Sequence, residues 1–340
     1  MLPLGALKSY CVRTVALFDF EVNMLTKPFK TIDEQIEILK SRNLTFLHEP
    51  SAKRILATVG YYELINGYKD IGIETGETFK DGFTFEQLFH VFNMDKEIRS
   101  AVNTAILEIE AHLRTALSYT VAKHYTADQN IYLNRENYER GDDKFQTSQR
   151  DKLLKKCHKI INDDSHPYKH YREKHGNVPP WILVKGMTFG NLIAFYKLQK
   201  SQVKSEIVSE LTGIPVELVS DDFKSLIINI LYFLLAYRNR CAHLGRVFNF
   251  ETTKNKIHYN KLFHDRMKIT ESEYKQGKGQ FGLATLVSSL SWFSTTGEVY
   301  QVVTILNFKI QEAINNYLKL YPADKDFIYN QLGGDLIPII

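Results

Sequence analysis

The sequence predicts an all-α protein. Apolar residues recur three and four positions apart along much of the 340-residue chain, the spacing of a buried helix face. Capping residues and glycines mark the ends of several of these segments. The sequence shows no internal repeat and no convincing series of alternating strands. We therefore expect packed helices joined by short connections.

Two helices are expected near the N-terminus. The capping box Thr31–Glu34 opens the first, and the second runs from Ser51 to about Asn66. One face of the second helix is expected to carry Leu56, Val59 and Tyr62. We interpret the aromatic residues between Gly60 and Tyr68 as core packing, and Gly72–Gly82 as a polar loop.

The longest helical pattern starts near Thr84 and reaches about Tyr125, with a bend expected near Asn93 to Asp95. Its predicted buried stripe is Phe85, Leu88, Phe89, Phe92, Ile98, Val102, Ala105, Ile109, Leu113 and Leu117. Arg114 follows Glu110 by four residues, so a simple helix ion pair explains both. A contact between Arg114 and RNA is the alternative.

A basic surface is predicted in the middle of the chain. The helix expected from Gln149 to Asp164 turns four lysines outward: Lys152, Lys155, Lys156 and Lys159. The residues that follow, 168–175, mix aromatic and cationic side chains, as surfaces for single-stranded nucleic acid do. A solvated helix face explains the lysines equally well. Neighbouring histidines lack the paired ligands of a zinc site, so we expect no metal and no cofactor.

Further helices are predicted after Pro179, from Gln202 to Leu211, and at about residues 221–244. A polar, basic segment and a glycine loop at Gly277–Gly282 follow. A final helical pair is expected at Leu283–Trp292 and Glu298–Leu320.

The helix at about 221–244 carries the residues that look chemical. Its apolar stripe is Phe223, Leu226, Ile227, Ile230, Leu231, Leu234 and Leu235. The stripe ends in a polar cluster of Arg238, Asn239, Arg240 and His243, with Arg246 beyond the expected helix stop at Gly245. Asn239 and His243 lie four apart and share a helix face. Such groups can hold a phosphate and move a proton beside it.

Two observations weaken that interpretation of the cluster. Cationic side chains and an imidazole at a helix C-terminus also offset the helix dipole and cap carbonyls. A near copy of the pattern occurs earlier, where Arg42 and Asn43 precede His48 with one more spacer residue. Spacing alone is therefore weak evidence, and the end of a strongly apolar helix is what distinguishes the later copy.

Composition limits the class of protein. The formal net charge of +4 permits nucleic acid as a partner without demanding it. Three cysteines without paired spacing indicate a reducing cytoplasm, and no apolar run is long enough to cross a membrane. We expect an N-terminal extension at 1–26, one helical domain at 27–330 and a C-terminal tail at 331–340.

The motif residues resemble a known family. Arg238-Asn239-x-x-x-His243 is similar to the Arg-Asn-x-x-x-His motif of HEPN ribonucleases. The string from Arg238 to His243, with Arg246 and Asn249 after it, resembles the bacterial Abi-like (AbiF/AbiD) abortive-infection family. Segments elsewhere extend the resemblance over most of the chain: Gly60–Tyr68, Ile109–Arg114, and Pro179–Trp181 with Phe189-Gly190. Lys185 stands at about the place where members often carry a glutamate.

This resemblance implies a fold and an activity. The fold would be a HEPN-type helical bundle with additional N-terminal and inserted helices. The activity would be a metal-independent endoribonuclease in phage defence or toxin action, with Arg238, Asn239 and His243 catalytic. Members of HEPN families pair two motifs across a two-fold interface, so one motif per chain implies a homodimer. RNA would be the substrate, and a small noncoding RNA a further partner.

A second function stays open beside the ribonuclease. A non-catalytic, HEPN-like RNA-binding module or regulator of a defence system would use the same arginines electrostatically. For either function, the expected RNA contacts beyond the three catalytic residues are Arg240, Arg246, Arg114, Lys152, Lys155, Lys156 and Lys159.

Overall fold

The computed structural model describes residues 28–144, 147–293 and 298–332. Helices dominate the described residues, as the sequence predicts, and strands are confined to two short hairpins. The chain divides into two compact units, residues 1–89 and 90–340. The predicted extension at 1–26 and most of the predicted tail lie outside the described residues.

In the first unit, two helices pack together ahead of a hairpin. Helix α1 is Ile32–Ser41 and helix α2 is Glu49–Val59. The predicted capping box is confirmed, because the Glu34 amide donates to Thr31 Oγ1 and the Thr31 amide donates to a Glu34 carboxylate oxygen. A π-helical turn at Tyr62–Asn66 and a 3₁₀ turn at Lys69–Ile71 lead to strands β1, Ile73–Thr75, and β2, Thr78–Phe79.

Two predictions for this unit are wrong. Tyr62 is 73% exposed, because the α-helix stops at Val59 and the π-helical turn that follows changes the direction of the side chains. Gly72–Gly82 is a hairpin with a buried Phe79, whose ring lies 5.8 Å from that of Phe83. Gly72 is required beneath Phe83, since a Cβ there would lie 2.4 Å from its ring.

Helix α3, Phe85–Tyr125, is unbroken over 41 residues and confirms the longest predicted helix. The rest of the second unit adds twelve helices to the described residues. They are α4 (Gln129–Tyr132), α5 (Gln149–Ile161), α6 (Tyr168–His175), α7 (Pro180–Leu183), α8 (Phe189–Lys197), α9 (Ser201–Thr212), α10 (Asp221–Ala242), α11 (Lys261–Arg266), α12 (Glu271–Lys275), α13 (Leu283–Leu290), α14 (Glu298–Leu320) and α15 (Lys325–Leu332). Strands β3, Asp143–Lys144, and β4, Thr147–Ser148, pair immediately before α5.

Helix α10 lies within the second unit, packed against α8, α9 and α13. Its predicted stripe is buried except at Leu235, which is half-buried, while Phe233 is fully buried outside that stripe. Three helices pack against α10 and cover more than one of its faces, which explains why Phe233 is buried outside the predicted stripe.

The segment after α10 differs from its prediction as a polar, basic stretch. It forms α11 and α12, and His264 is fully buried among aromatic rings. Both nitrogens of the His264 ring face carbonyl oxygens, of Asn260 and Gly279. Helix α15 was not predicted. It occupies residues that were assigned to the domain end and the tail.

Candidate functional site

The candidate site is built at the C-terminal end of α10. Ser220 caps the start of the helix by accepting a hydrogen bond from the Phe223 amide. The helix ends at Ala242, with His243 as its C-cap, two residues before the predicted end. The Leu244 and Gly245 amides donate back to Cys241 and Arg240, at 3.0 and 2.8 Å, and close a Schellman motif.

The predicted helix stop falls one residue from where the chain turns. Leu244, with φ of 57°, adopts the left-handed conformation rather than Gly245. Gly245 is needed for a different reason. A Cβ at residue 245 would lie 2.5 Å from the side chain of Arg240, which folds back over this turn.

His243 presents a free imidazole. The residue is exposed, and among the described residues no hydrogen bond to its ring is formed. Its backbone amide donates to the Asn239 carbonyl at 3.1 Å, one helical turn earlier. Asn239 is exposed as well. The two predicted polar partners therefore lie at the same exposed end of α10, where a substrate can reach both.

Arg238 is held by a buried carboxylate. Its Nε lies 3.6 Å from Glu110 Oε2, an ion pair beyond hydrogen-bonding distance. Glu110 is only 7% exposed, and its other oxygen lies 2.9 Å from an Arg114 nitrogen. Glu110 Oε2 is buried without a hydrogen-bond partner among the described residues. One carboxylate on α3 thus lies between two arginines, and only Arg238 belongs to the motif.

Arg114 forms hydrogen bonds within the protein. Besides the predicted pair with Glu110, its guanidinium donates to the carbonyls of Val184 and Met187, the latter at 3.2 Å. These bonds tie α3 to the turn that follows α7. Lys185, in that turn, is exposed. An RNA contact for Arg114 stays a prediction.

Arg240 and Arg246 border a small cavity. Arg240 Nε donates to the Arg246 carbonyl at 2.9 Å, and its guanidinium lies 5.3 Å from the centre of the Phe250 ring. A cavity of about 280 Å³ is lined by Arg240, Arg246, Asn249, Phe250 and Glu251. Two cationic side chains around one concave surface suit an anion such as phosphate.

A buried aspartate fixes the segment that follows the motif. Asp95 on α3 is fully buried, and its Oδ1 accepts from the amides of Val247 and Phe248 at 3.0 and 2.6 Å. Its Oδ2 lies 3.2 Å from Arg99. Sequence reasoning missed this residue. The available signal was a carboxylate beside the buried stripe of a long helix, where an unpaired charge is costly.

Cys241 is packed inside the same helix end. Burial raises the pKa of its thiol to about 12, so the sulfur stays protonated at neutral pH and is a poor nucleophile. The chemistry available at this site is therefore that of the imidazole, the amide and the arginines.

The predicted lysine face is exposed on α5. The other side of the helix is buried through Leu153, Leu154, Cys157 and Ile161. Lys156 donates to Asn191 of α8 at 2.9 Å. None of these lysines lines the cavity at Arg240 and Arg246. The structure therefore does not join them to the motif residues, and their RNA contacts stay predictions.

The earlier copy of the pattern is structural. Arg42 caps the end of α1 and pairs with Glu77, while Asn43 donates to Asp81 at 2.8 Å. His48 caps the start of α2. These side chains lie at the ends of two different helices and are engaged in hydrogen bonds or ion pairs. In contrast, Arg238, Asn239 and His243 lie at the end of one helix.

The sequence model of the Abi-like protein family matches residues 54–249, more than half of the chain and all of α10. The chain belongs to the Abi-like protein family. No curated protein and no solved structure matches it significantly. In this Abi-like protein the matched segment ends at Asn249, so α11 to α15 lie beyond it.

Two features of the described residues bear on possible membrane and metal partners. No helix in this part of the Abi-like protein is both long and apolar enough to cross a bilayer. Over the same residues, no group of three histidine, cysteine or acidic side chains is arranged to hold a metal ion. His166, His170 and His175 do lie near one another, with ring centres 5.6–5.8 Å apart along the set.

Proposed function

We propose that this Abi-like protein is a metal-independent endoribonuclease of the HEPN type that acts in phage defence. The family takes its name from abortive infection, which supports the biological role. The observation that carries the activity is the free, exposed imidazole of His243 on the helix that also bears Arg238 and Asn239. An imidazole exchanges protons near neutral pH, and an arginine keeps its charge there.

The reaction needs one proton removed and one supplied. A base takes the proton of a ribose 2′-hydroxyl, whose oxygen attacks the adjacent phosphorus. The bond from phosphorus to the 5′-oxygen breaks, and an acid protonates that oxygen. The products are a 2′,3′-cyclic phosphate and a free 5′-hydroxyl. Arg238 stabilises the added charge on the non-bridging oxygens, and Asn239 orients the imidazole or the phosphate.

A homodimer would supply both proton-transfer groups. One His243 cannot readily act as base and acid in the same step, and each chain has one motif. Two chains that meet at the end of α10 would place two imidazoles around one phosphate. A monomer at micromolar concentration whose RNase activity is linear in protein concentration would contradict this composite site.

The alternative is a non-catalytic, HEPN-like RNA-binding module or regulator of a defence system. Such a module would use the charges of Arg238, Arg240 and Arg246 and would not need the imidazole. Substitution of His243 distinguishes the two functions.

The test compares His243→Ala with His258→Ala, a change at another exposed histidine that does not line the cavity at Arg240 and Arg246. His243→Ala should lower cleavage of labelled RNA by about 10²–10⁴-fold, the usual contribution of a positioned acid or base. Its RNA binding should remain close to that of the wild type, and His258→Ala should retain both properties. Arg238→Ala should lower cleavage and also weaken binding, because it removes a fixed positive charge.

Two outcomes would refute the assignment. Full cleavage by folded His243→Ala protein would remove the motif from the chemistry. Loss of wild-type cleavage on addition of a chelator would assign the reaction to a metal.

A further inference from the structure

A larger cavity lies next to the arginine-lined one. Its volume is about 650 Å³, and it lies between the chain after α10 and the glycine loop after α12. The two cavities share Asn249, Phe250 and Glu251. The volume falls within the range of about 300–1,000 Å³ typical of small-ligand sites, so a single nucleotide fits.

The lining of the larger cavity combines apolar surface, amide groups and two oppositely charged pairs of side chains, Glu251 and Glu273 with Lys268 and Lys278. Met267, Ile269, Phe281 and Ala284 supply the apolar part, and Asn249, Gln276, Asn330 and Gln331 supply amides. Side-chain amides offer a donor and an acceptor together, which matches the hydrogen-bonding edge of a nucleobase. Phosphate alone would leave this apolar and amide surface unused.

The oxygen of one of these amides lacks a hydrogen-bond donor among the described residues. Asn249 Nδ2 donates to Gln331 Oε1 at 3.1 Å, but Asn249 Oδ1 is buried without a donor among the described residues. A buried acceptor without a donor costs free energy, and such groups are uncommon unless a ligand or water completes them. A small rearrangement of this amide on binding would let it meet the N–H of a base.

Two residues that line the larger cavity, Gly282 and Phe250, are hydrogen-bonded to helix α10. Tyr237, fully buried one residue before Arg238, accepts from the Gly282 amide at 3.1 Å and donates to the Phe250 carbonyl at 3.2 Å. The Phe250 ring contacts the Tyr237 ring edge to face, with centres 5.0 Å apart, and lies beneath the Arg240 guanidinium. The same residues thus shape the cavity and position the arginines.

We propose that the larger cavity binds one unpaired nucleobase of RNA while the flanking phosphate lies at Arg240 and Arg246. The inference rests on the proposed function only in taking RNA as the ligand. It assigns base selection to a cavity whose walls, apart from Asn249, come from residues beyond the segment matched to the Abi-like family. Base preference would then differ among proteins that share the motif.

The probes are the four ribonucleoside 5′-monophosphates, titrated calorimetrically into the full-length protein. Wild-type protein should bind at least one of them and should distinguish the bases. Asn249→Leu removes the amide while keeping the number of side-chain heavy atoms, and Asn330→Trp places a large side chain at an exposed lining position. Each should lower the affinity for the preferred nucleotide by about tenfold or more. Asn130→Trp, an exposed position that lines neither cavity, should bind like the wild type.

The outcomes separate this inference from the nuclease assignment. Titration of mononucleotides into the wild type does not depend on cleavage, so base binding can be confirmed even if no RNA is cleaved. Cleavage that depends on His243, combined with unchanged nucleotide binding by folded Asn330→Trp, would overturn the base site and leave the nuclease intact. Absence of binding of all four mononucleotides to the wild type at millimolar concentration would also overturn it.

Discussion

Replacement of Asp95 by alanine should destabilise the protein more than any surface substitution near the motif. The carboxylate is fully buried and bonds two backbone amides and Arg99. Removing one member of a buried ion pair costs about 3–5 kcal/mol, because the remaining charge is left uncompensated. Two buried amides would also lose their acceptor, at roughly 1–3 kcal/mol each.

The cost of the unpaired charge and the cost of the two unpaired amides cannot simply be added, because structural relaxation and the entry of water would reduce both at once. We expect the free energy of unfolding of Asp95→Ala to fall by about 4–6 kcal/mol, a large part of the 5–15 kcal/mol typical of a domain. Asp95→Asn keeps one acceptor and should lose about half as much. Because the lost bonds hold residues 247–248, the arginine-lined cavity should loosen as well, and RNA affinity should fall in protein that remains folded.

Urea denaturation followed by circular dichroism measures the change, with Asp265→Ala as the matched control. Asp265 is exposed on α11, and its substitution should change stability by less than about 0.5 kcal/mol. An Asp95→Ala protein within about 1 kcal/mol of the wild type would refute the anchoring role. It would show that the two amides and Arg99 find water or other partners at little cost.

Three further predictions concern the site and its surroundings. Glu110→Gln should lower stability by about 1–3 kcal/mol and reduce cleavage more than RNA binding, because Arg238 loses its buried counter-charge; equal cleavage by mutant and wild type would exclude a positioning role. Charge reversal on α5 should weaken RNA binding and flatten its salt dependence by up to about 0.9 per lost phosphate contact; the lysines to change are Lys155, Lys156 and Lys159. Burial raises the pKa values of the Cys157 and Cys241 thiols to about 12, so both are protonated at pH 8. Iodoacetamide at that pH should therefore label a folded Cys11→Ser protein only after denaturant is added, as mass spectrometry would show.

Local sequence patterns determined most of the helices. Helix α3 and helix α14 have the predicted ends, and α10 ends within two residues of its prediction. The reason is that apolar periodicity, N-capping residues and breakers act over a few neighbouring residues. For the same reason the sequence placed Arg238, Asn239 and His243 correctly at the end of one helix.

Short elements were the weak point of those predictions. The exposure of Tyr62 depends on a π-helical turn, and the hairpin at β1 and β2 depends on the packing of Phe79 against Phe83. A search for apolar residues at helical spacing detects neither feature. Helix α15 is only eight residues long and was missed.

The tertiary structure alone decided how the motif residues are held. Asp95 bonds amides 152 and 153 residues away, and Glu110 joins Arg238 from a different helix. The cavity beside the motif requires Asn249, the glycine loop and α15 to meet. Contacts between residues so far apart in the chain leave no local pattern. The sequence could therefore name the candidate catalytic residues. Only the fold showed that Arg42, Asn43 and His48 cap and anchor helices, and that the His243 ring forms no hydrogen bond among the described residues.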